Sequence, residues 1–565
     1  MIANRIKLIR KKFKNLKIDG YVIPKNDEFF SEYSAKDRLK IISNFTGSAG
    51  LAIILKKKNY LFVDGRYTIQ AQKECGKLFK IIQVHKFLPH QILKNLTLGF
   101  DPNIFTTKQI KIYFNKSLKL KALDKNLVDQ IYKKKAIKNK SFFSLKKSVA
   151  GKSYKEKKNK ILKIIKKNKA DYLFITAPEN VAWIMNIRGF DNPNSPIPNA
   201  HILIGKKGNL FLIAQKEKVL KIINDRKLSK KKIINPKNFN NLVKKLKGKK
   251  FIIDPLTCSI LNENIIKSKF KIIKQEDPCY QLKSIKNSTE IKHMIKAHME
   301  DGLALTKFIY WIKNTNKKTI TEIDAQNKLE KFRKLNKNYL YPSFHTIAGA
   351  GANGAIVHYR ASKKTNKIIK KKDIFLCDSG GQYKFGTTDV TRTICFSKQP
   401  NSIKNIYTKV LKGHIAVVTS NLKKFNNGKK IDLRARKFLK KSGLDYAHGT
   451  GHGVGFFSNV HEGPQSISKN NTIKLEEGMV LSNEPGYYRK DHYGIRIENL
   501  IYIKKVKKNL EFKNLTLAPI EKDLINFKLL NKNEKEYLFK YHLYIYAVHS
   551  KFLNKKERKW LASFI

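Results

Sequence analysis

His452 lies in the run His448-Gly449-Thr450-Gly451-His452-Gly453-Val454-Gly455, with Asp378 and Asp389 before it and Glu484 and Glu498 after it. Four carboxylates and one imidazole would make a cage for two divalent metal ions. Oxygen donors with a single nitrogen suit hard or borderline ions such as Mn²⁺, and no thiolate is needed. Two ions sharing one water are a way to make hydroxide at neutral pH. Singly, each residue has a plainer reading. An aspartate at a strand end is usually a turn cap, Gly-His-Gly is a flexible loop, and Glu484-Pro485-Gly486 is an ordinary turn. The order of the five and the strings around them carry the metal reading.

Those residues need strands to hold them. Residues 374–381 read as a strand entering a turn, and residues 387–394 as a β-branched return strand. A hairpin folded about Tyr383 and Lys384 would set Asp378 directly opposite Asp389, with both side chains leaving one face. Two opposed carboxylates repel unless a cation lies between them. Glu484 and Glu498 are equidistant from Asp491, so the same symmetry recurs there. Arg496, two residues before Glu498, shares its strand face and would orient the carboxylates from behind. Cys377 points to the face opposite Asp378 and reads as core.

Longer strings extend the pattern: Asn353-Gly354-Ala355-Ile356-Val357-His358-Tyr359, Asp378-Ser379-Gly380, residues 386–393, Gly451-His452-Gly453-Val454-Gly455, Val460-His461-Glu462-Gly463-Pro464, Asn483-Glu484-Pro485-Gly486 and residues 494–499. Together they resemble the pita-bread metallopeptidases, which include methionine aminopeptidase, prolidase and aminopeptidase P. The chain is most similar to the long, three-domain aminopeptidase P form. All of that family's metal-ligand positions are filled, unlike in the creatinases and histone-chaperone members, which keep the fold without the metals.

The resemblance implies an α/β (α+β) architecture: two creatinase-like N-terminal domains, then a pita-bread catalytic domain with a C-terminal extension. It implies a dinuclear metallo-aminopeptidase that releases the N-terminal residue from peptides with proline in second position. Asp378 and Asp389 would bind one ion, Asp389, His452 and Glu484 the other, and Glu498 would bridge both. A hydroxide between the ions would attack the carbonyl preceding proline. Glu484 would pass the water proton to the proline nitrogen, a tertiary amide that leaves poorly until protonated. His358 and His461 would bind the substrate carbonyl and shuttle protons, and His448 would support the glycine loop; His345 has no assignment. The alternatives are a prolidase acting on Xaa-Pro dipeptides and a nucleic-acid- or protein-binding pseudoenzyme on the same fold. The intact ligand set argues against the pseudoenzyme.

Composition sets further bounds. At 565 residues with 41% hydrophobic side chains, the chain should form several globular domains. The formal charge of +75 could signal a polyanionic partner. The lysines are spread through every region, however, with no zinc-finger or RNA-binding signature. A compositional bias towards Lys, Asn and Ile accounts for them, and no specific nucleic acid partner is expected. Cys75, Cys258, Cys279, Cys377 and Cys395 are few, odd in number and far apart, which fits a reducing compartment and a cytoplasmic location. No stretch is long and apolar enough to span a membrane. Residues 1–17 place Ile2, Ile6, Ile9, Phe13 and Leu16 at helical spacing, without the apolar core of a secretory signal.

The chain divides into units expected at 1–125, 126–285, 286–510 and 511–565. The first two share an order of strand, helix, turn, strand, turn, strand, which reads as a divergent internal duplication. The third opens with Asn287 as helix cap and Glu290 three residues on, and a second helix is capped by Thr321. A homodimer assembled partly through residues after about 511 is expected.

Overall fold

The computed structural model describes residues 1–132, 140–225, 228–315 and 319–565. The chain forms two compact units, Met1–Tyr280 and Gln281–Ile565.

The first unit holds two six-stranded sheets. In one, the spatial order is Lys80–Gln83, Asn59–Val63, Leu51–Leu55, Gly20–Pro24, Leu96–Phe100 and Leu118–Ala122. The other runs Ile233–Ile234, Leu210–Ile213, His201–Gly205, Tyr172–Ile175, Lys250–Ile253 and Lys271–Lys274. Both place an antiparallel three-strand meander at the centre and add parallel strands at each side. Strand order and direction therefore repeat, as the expected duplication requires. The middle strands are apolar along their whole length because helices or loops cover both faces; Leu51, Ala52, Ile53 and Ile54 are all buried. The amphipathic start also forms as expected. Helices Ile2–Arg10 and Phe13–Leu16 turn Ile6, Ile9 and Phe13 into the core of the first sheet.

The second unit opens with helix Ser288–Asn314. Asn287 caps it by accepting from Thr289 and Glu290 backbone N–H groups, while the Glu290 side chain reaches back to Asn287. Thr321 caps helix Glu322–Lys334 in the same way, with Asp324 as its return partner. Two three-stranded sheets, a two-stranded hairpin and a five-stranded sheet follow. The three-stranded sheet Ile347–Ala350, Ile374–Ser379, Val390–Cys395 and the five-stranded sheet containing Gly451–Gly453, Val480–Asn483 and Asn499–Val506 carry the candidate site. Cys377 is buried with Phe375, Val390 and Ile394, the core position expected of it. All five cysteines are free and buried. Among the described residues no helix is long and apolar enough to cross a membrane.

The C-terminal helices Lys532–His549 and Lys555–Ala562 belong to the same core as the site strands. Leu538, Tyr541, Ile545 and Leu561 pack in one cluster with Leu411, Ile495 and Ile497. The Tyr541 hydroxyl donates to the Ala518 carbonyl at 3.0 Å, and Arg392 donates to that hydroxyl at 3.1 Å. Truncating such a residue leaves a cavity that its neighbours fill only in part. Leu538→Ala should destabilise the second unit by about 2–5 kcal/mol. Calorimetry of the full chain checks this: the transition of that unit should move down, whereas an unchanged transition would mean the tail adds nothing to its core.

Candidate metal centre

The first hairpin departs from the expected register. Asp378 pairs with Thr391, not Asp389, and the ladder continues as Ser379↔Val390, then Gln382↔Thr387 and Tyr383↔Gly386. The loop is Lys384-Phe385, centred one residue later than the sequence symmetry suggested. Tyr383 explains the shift. It is fully buried, its ring packs on Tyr339, and its hydroxyl donates to Asp301 at 2.7 Å, so it is fixed in the strand and cannot serve the turn. Asp378 and Asp389 are consequently diagonal neighbours, still within reach of one another.

The second hairpin has the expected register. Asn483 pairs with Asn499 and Gly486 with Arg496, which leaves Glu484 across from Glu498. Its turn passes through Asp491, a non-glycine residue at φ +60°.

His452 sits in strand Gly451–Gly453 between Glu462–Ile467 and Val480–Asn483. Its neighbouring glycines are needed for close approach. A Cβ at Gly451 would collide with the Ser482 carbonyl, and one at Gly453 with the Glu462 carbonyl. Nδ1 of His452 lies 2.9 Å from the Gly453 carbonyl, which places a proton on Nδ1 and lets the neutral ring offer its Nε2 lone pair. Nε2 is 3.5 Å from Asp389 Oδ2 and 3.6 Å from Glu484 Oε1. Asp389, His452 and Glu498 can each offer a ligand atom, all within 4.8 Å of one another.

Arg496 stands behind this set. It donates to Asp378 Oδ2 at 2.5 Å, to Thr391 Oγ1 at 3.0 Å and to the Tyr488 hydroxyl at 2.7 Å. Thr391 in turn donates to Glu498 Oε2 at 2.7 Å. Ser482 donates to Glu484 Oε1 at 3.0 Å and accepts the His452 backbone N–H. Thr391, Tyr488 and Ser482 were not singled out from the sequence. Thr391 was within reach of it, since it follows Asp389 by two residues on the same strand face. Ser482 stands in the same relation to Glu484, two residues before it; Tyr488 has no comparable signal.

The electrostatics point one way. Asp378, Asp389 and Glu498 are buried, and Glu484 is half-buried. Burial, reinforced by Asp389 and Glu484, pushes the Asp378 carboxyl up to about 7 against the pull of Arg496. Burial and the other three carboxylates push Glu498 well above its ordinary value, and burial also raises Asp389. Glu484 goes the other way. Removal from water would raise it, but His452, His448 and Arg496 outweigh that. Burial would lower the His452 imidazole, yet Asp389 and Glu484 push it up to about 9. Acidic groups outnumber the positive ones, His452 and Arg496, and Asp378 Oδ1 is buried with no hydrogen-bond partner. A carboxylate cage with an aimed imidazole nitrogen and an orphaned oxygen fits divalent cations. In a second grouping, Cys395, Glu521 and Asp523, the place between the two carboxylates is already taken by Lys313, which lies 2.6 Å from Glu521 and 2.7 Å from Asp523.

The remaining predicted residues surround the cage. The His461 ring lies 4.1 Å from that of His452, and the residue is exposed. His358 is half-buried in the turn after the short helix Gly351–Ala355. Next to it, the Tyr359 hydroxyl donates to Glu322 at 2.8 Å. His448 Nε2 is 2.8 Å from the Tyr488 hydroxyl, in keeping with a supporting place by the glycine loop; burial pushes this imidazole down to about 4. His345 is exposed.

Comparison with known proteins places the chain in a family. The model of metallopeptidase family M24 matches residues 292–505, and that of the C-terminal region of peptidase M24 matches 508–563. Creatinase/prolidase N-terminal domain models match 5–130 and 133–290. A probable Xaa-Pro aminopeptidase P of Laccaria bicolor is 35% identical, with 96% of this chain and 89% of the relative covered. Xaa-Pro aminopeptidase 1 of Dictyostelium discoideum is 34% identical over 99% of this chain and 96% of its own. Among solved structures, an X-prolyl aminopeptidase from Caenorhabditis elegans, described as a cytosolic enzyme with a di-nuclear active site, superposes with a TM-score of 0.90 at 28% identity, covering 100% of this chain and 99% of that one. Prolidase from Pyrococcus furiosus covers 63% of this chain and 98% of its own, with a TM-score of 0.51 and 27% identity. With similarity of this extent along nearly its whole length, the chain belongs to metallopeptidase family M24, in its aminopeptidase P group.

Proposed function

We propose that this chain removes the N-terminal residue from peptides with proline in second position, using two divalent ions held by Asp378, Asp389, His452, Glu484 and Glu498. The observation that carries the reading is the aim of His452 Nε2 between Asp389 and Glu484, inside a set of carboxylates short of positive charge. The relatives that are similar over their full length and named Xaa-Pro aminopeptidases support the choice of substrate.

Asp378 and Asp389 would hold one ion, Asp389, His452 and Glu484 the other, with Glu498 touching both. Mn²⁺ suits this mostly oxygen set, and the pair when bound would polarise the scissile carbonyl and acidify a water. The chain's own groups do the rest. Glu484 takes the proton of the attacking water and returns it to the proline nitrogen, which cannot leave as an anion. His461, beside His452, and His358 donate to the substrate carbonyl oxygen as negative charge builds on it. Arg496 fixes Asp378 directly and Glu498 through Thr391.

We divide the chain into domains at 1–125, 126–285, 286–510 and 511–565. We place it in the cytoplasm, which five free cysteines and the description of the nematode enzyme support. We infer a homodimer formed partly by the C-terminal helices, where Phe539, Leu543, Tyr544 and Phe552 are all exposed.

Two outcomes test the function. Chelation should abolish hydrolysis of Xaa-Pro-Pro peptides and Mn²⁺ should restore it, with Xaa-Pro dipeptides cleaved more slowly. Full activity in metal-free protein would end the metal reading, and a preference for dipeptides would favour a prolidase. His461→Ala should keep two ions per chain by metal analysis but lower kcat by about a hundredfold, the scale of a lost proton-transfer or oxyanion group. Unchanged turnover would remove His461 from catalysis, and lost metal would make it a ligand.

A further inference from the structure

Behind the two aspartates lies a buried ion pair that the reaction does not use. Asp301, in helix Ser288–Asn314, accepts Arg333 Nε at 2.7 Å, the Tyr383 hydroxyl at 2.7 Å and the Thr388 hydroxyl at 2.9 Å. Arg333, in helix Glu322–Lys334, also donates to the Ser379 hydroxyl at 3.1 Å and the Gly380 carbonyl at 3.3 Å. Thr388 Oγ1 accepts the Gly381 N–H at 2.9 Å, and its carbonyl accepts the Ser343 hydroxyl at 2.9 Å. Asp301, Arg333, Tyr383 and Thr388 are all buried.

The bonds to Ser379, Gly380 and Thr388 end beside a proposed ligand. Ser379 and Gly380 directly follow Asp378, and Thr388 directly precedes Asp389. The regular ladder is interrupted there, between Ser379↔Val390 and Gln382↔Thr387. The Thr388 N–H still donates to the Gly381 carbonyl at 2.9 Å, but the Gly381 N–H goes to the Thr388 side chain, so side-chain bonds share with strand pairing in setting where Asp389 stands. Burying an arginine–carboxylate pair is a weak route to stability, because apolar residues of the same volume often do as well. What the pair does supply is fixed geometry: one carboxylate binds the hairpin from the Asp389 side, and its guanidinium partner binds it from the Asp378 side.

We propose that Asp301 and Arg333 are positioning residues that set the spacing of Asp378 and Asp389, so that the hairpin holds two divalent ions at once. The inference rests on the metal-centre reading above. It concerns no group that touches the ions or the substrate.

The test uses the full chain, Mn²⁺ titration by calorimetry and electron paramagnetic resonance. Thr388→Val keeps the shape but removes both the hydrogen bond to Asp301 and the one the hydroxyl accepts from the Gly381 N–H; Asp301→Asn leaves the second in place. Thr388→Val should weaken binding of at least one Mn²⁺ by about ten- to a hundredfold and abolish the spin-coupled signal of a manganese pair. Thr388→Ser, which keeps the hydroxyl, should restore both. Asp301→Asn should behave as Thr388→Val does; if it does not fold, the two Thr388 variants decide. A purely structural role would lower thermal stability in Thr388→Val but leave affinity and spin coupling at wild-type values, and that result overturns the proposal. A wild-type chain that never gathers two ions overturns the metal-centre reading and this inference together.

Discussion

The crowding of carboxylates around His452 is the constraint on which the second unit depends. Three of the four are buried, and each raises the cost of ionising another. Arg496 offsets part of that charge, because its guanidinium reaches Asp378 and, through Thr391, Glu498. One guanidinium and one imidazole cannot neutralise four carboxylates. The remainder is a site that favours divalent cations over the apolar filling its surroundings would otherwise take.

Holding repelling groups together requires rigid supports, and the fold supplies them from several directions. Glycines at 451 and 453 let the His452 strand approach its neighbours at distances that no side chain would permit. The two hairpins bring one pair of carboxylates each. The C-terminal helices complete the core under the strand that carries Arg496, through Leu538, Tyr541 and Ile545 packed with Ile495 and Ile497. Tail and site are one packed body within this unit, joined also through Arg392, which donates both to the Tyr541 hydroxyl and to the Glu498 carbonyl.

Much of this was legible in the sequence. The doubled order of strands in the first unit, the caps at Asn287 and Thr321, the core place of Cys377 and the pairing of Glu484 with Glu498 all follow from local patterns that the structure repeats. The first hairpin was misjudged because its turn is decided from outside. Tyr383 is drawn into the strand by Asp301, a residue 82 positions away in the chain, and counting outward from a central residue cannot register that pull. Tyr488 was missed for the same reason, since its partners, Arg496 and His448, come from other segments of the chain. The Xaa-Pro preference is a separate case. It came from resemblance, not from any single residue whose chemistry reads proline.

Whether five side chains gather two metal ions can be seen by anomalous diffraction from crystals of the full chain loaded with Mn²⁺. Two anomalous peaks are expected inside the cage, one bounded by Asp378 and Asp389, the other by Asp389, His452 and Glu484, with Glu498 in contact with both. A single peak, or peaks away from these residues in a fully loaded and active sample, would contradict that arrangement.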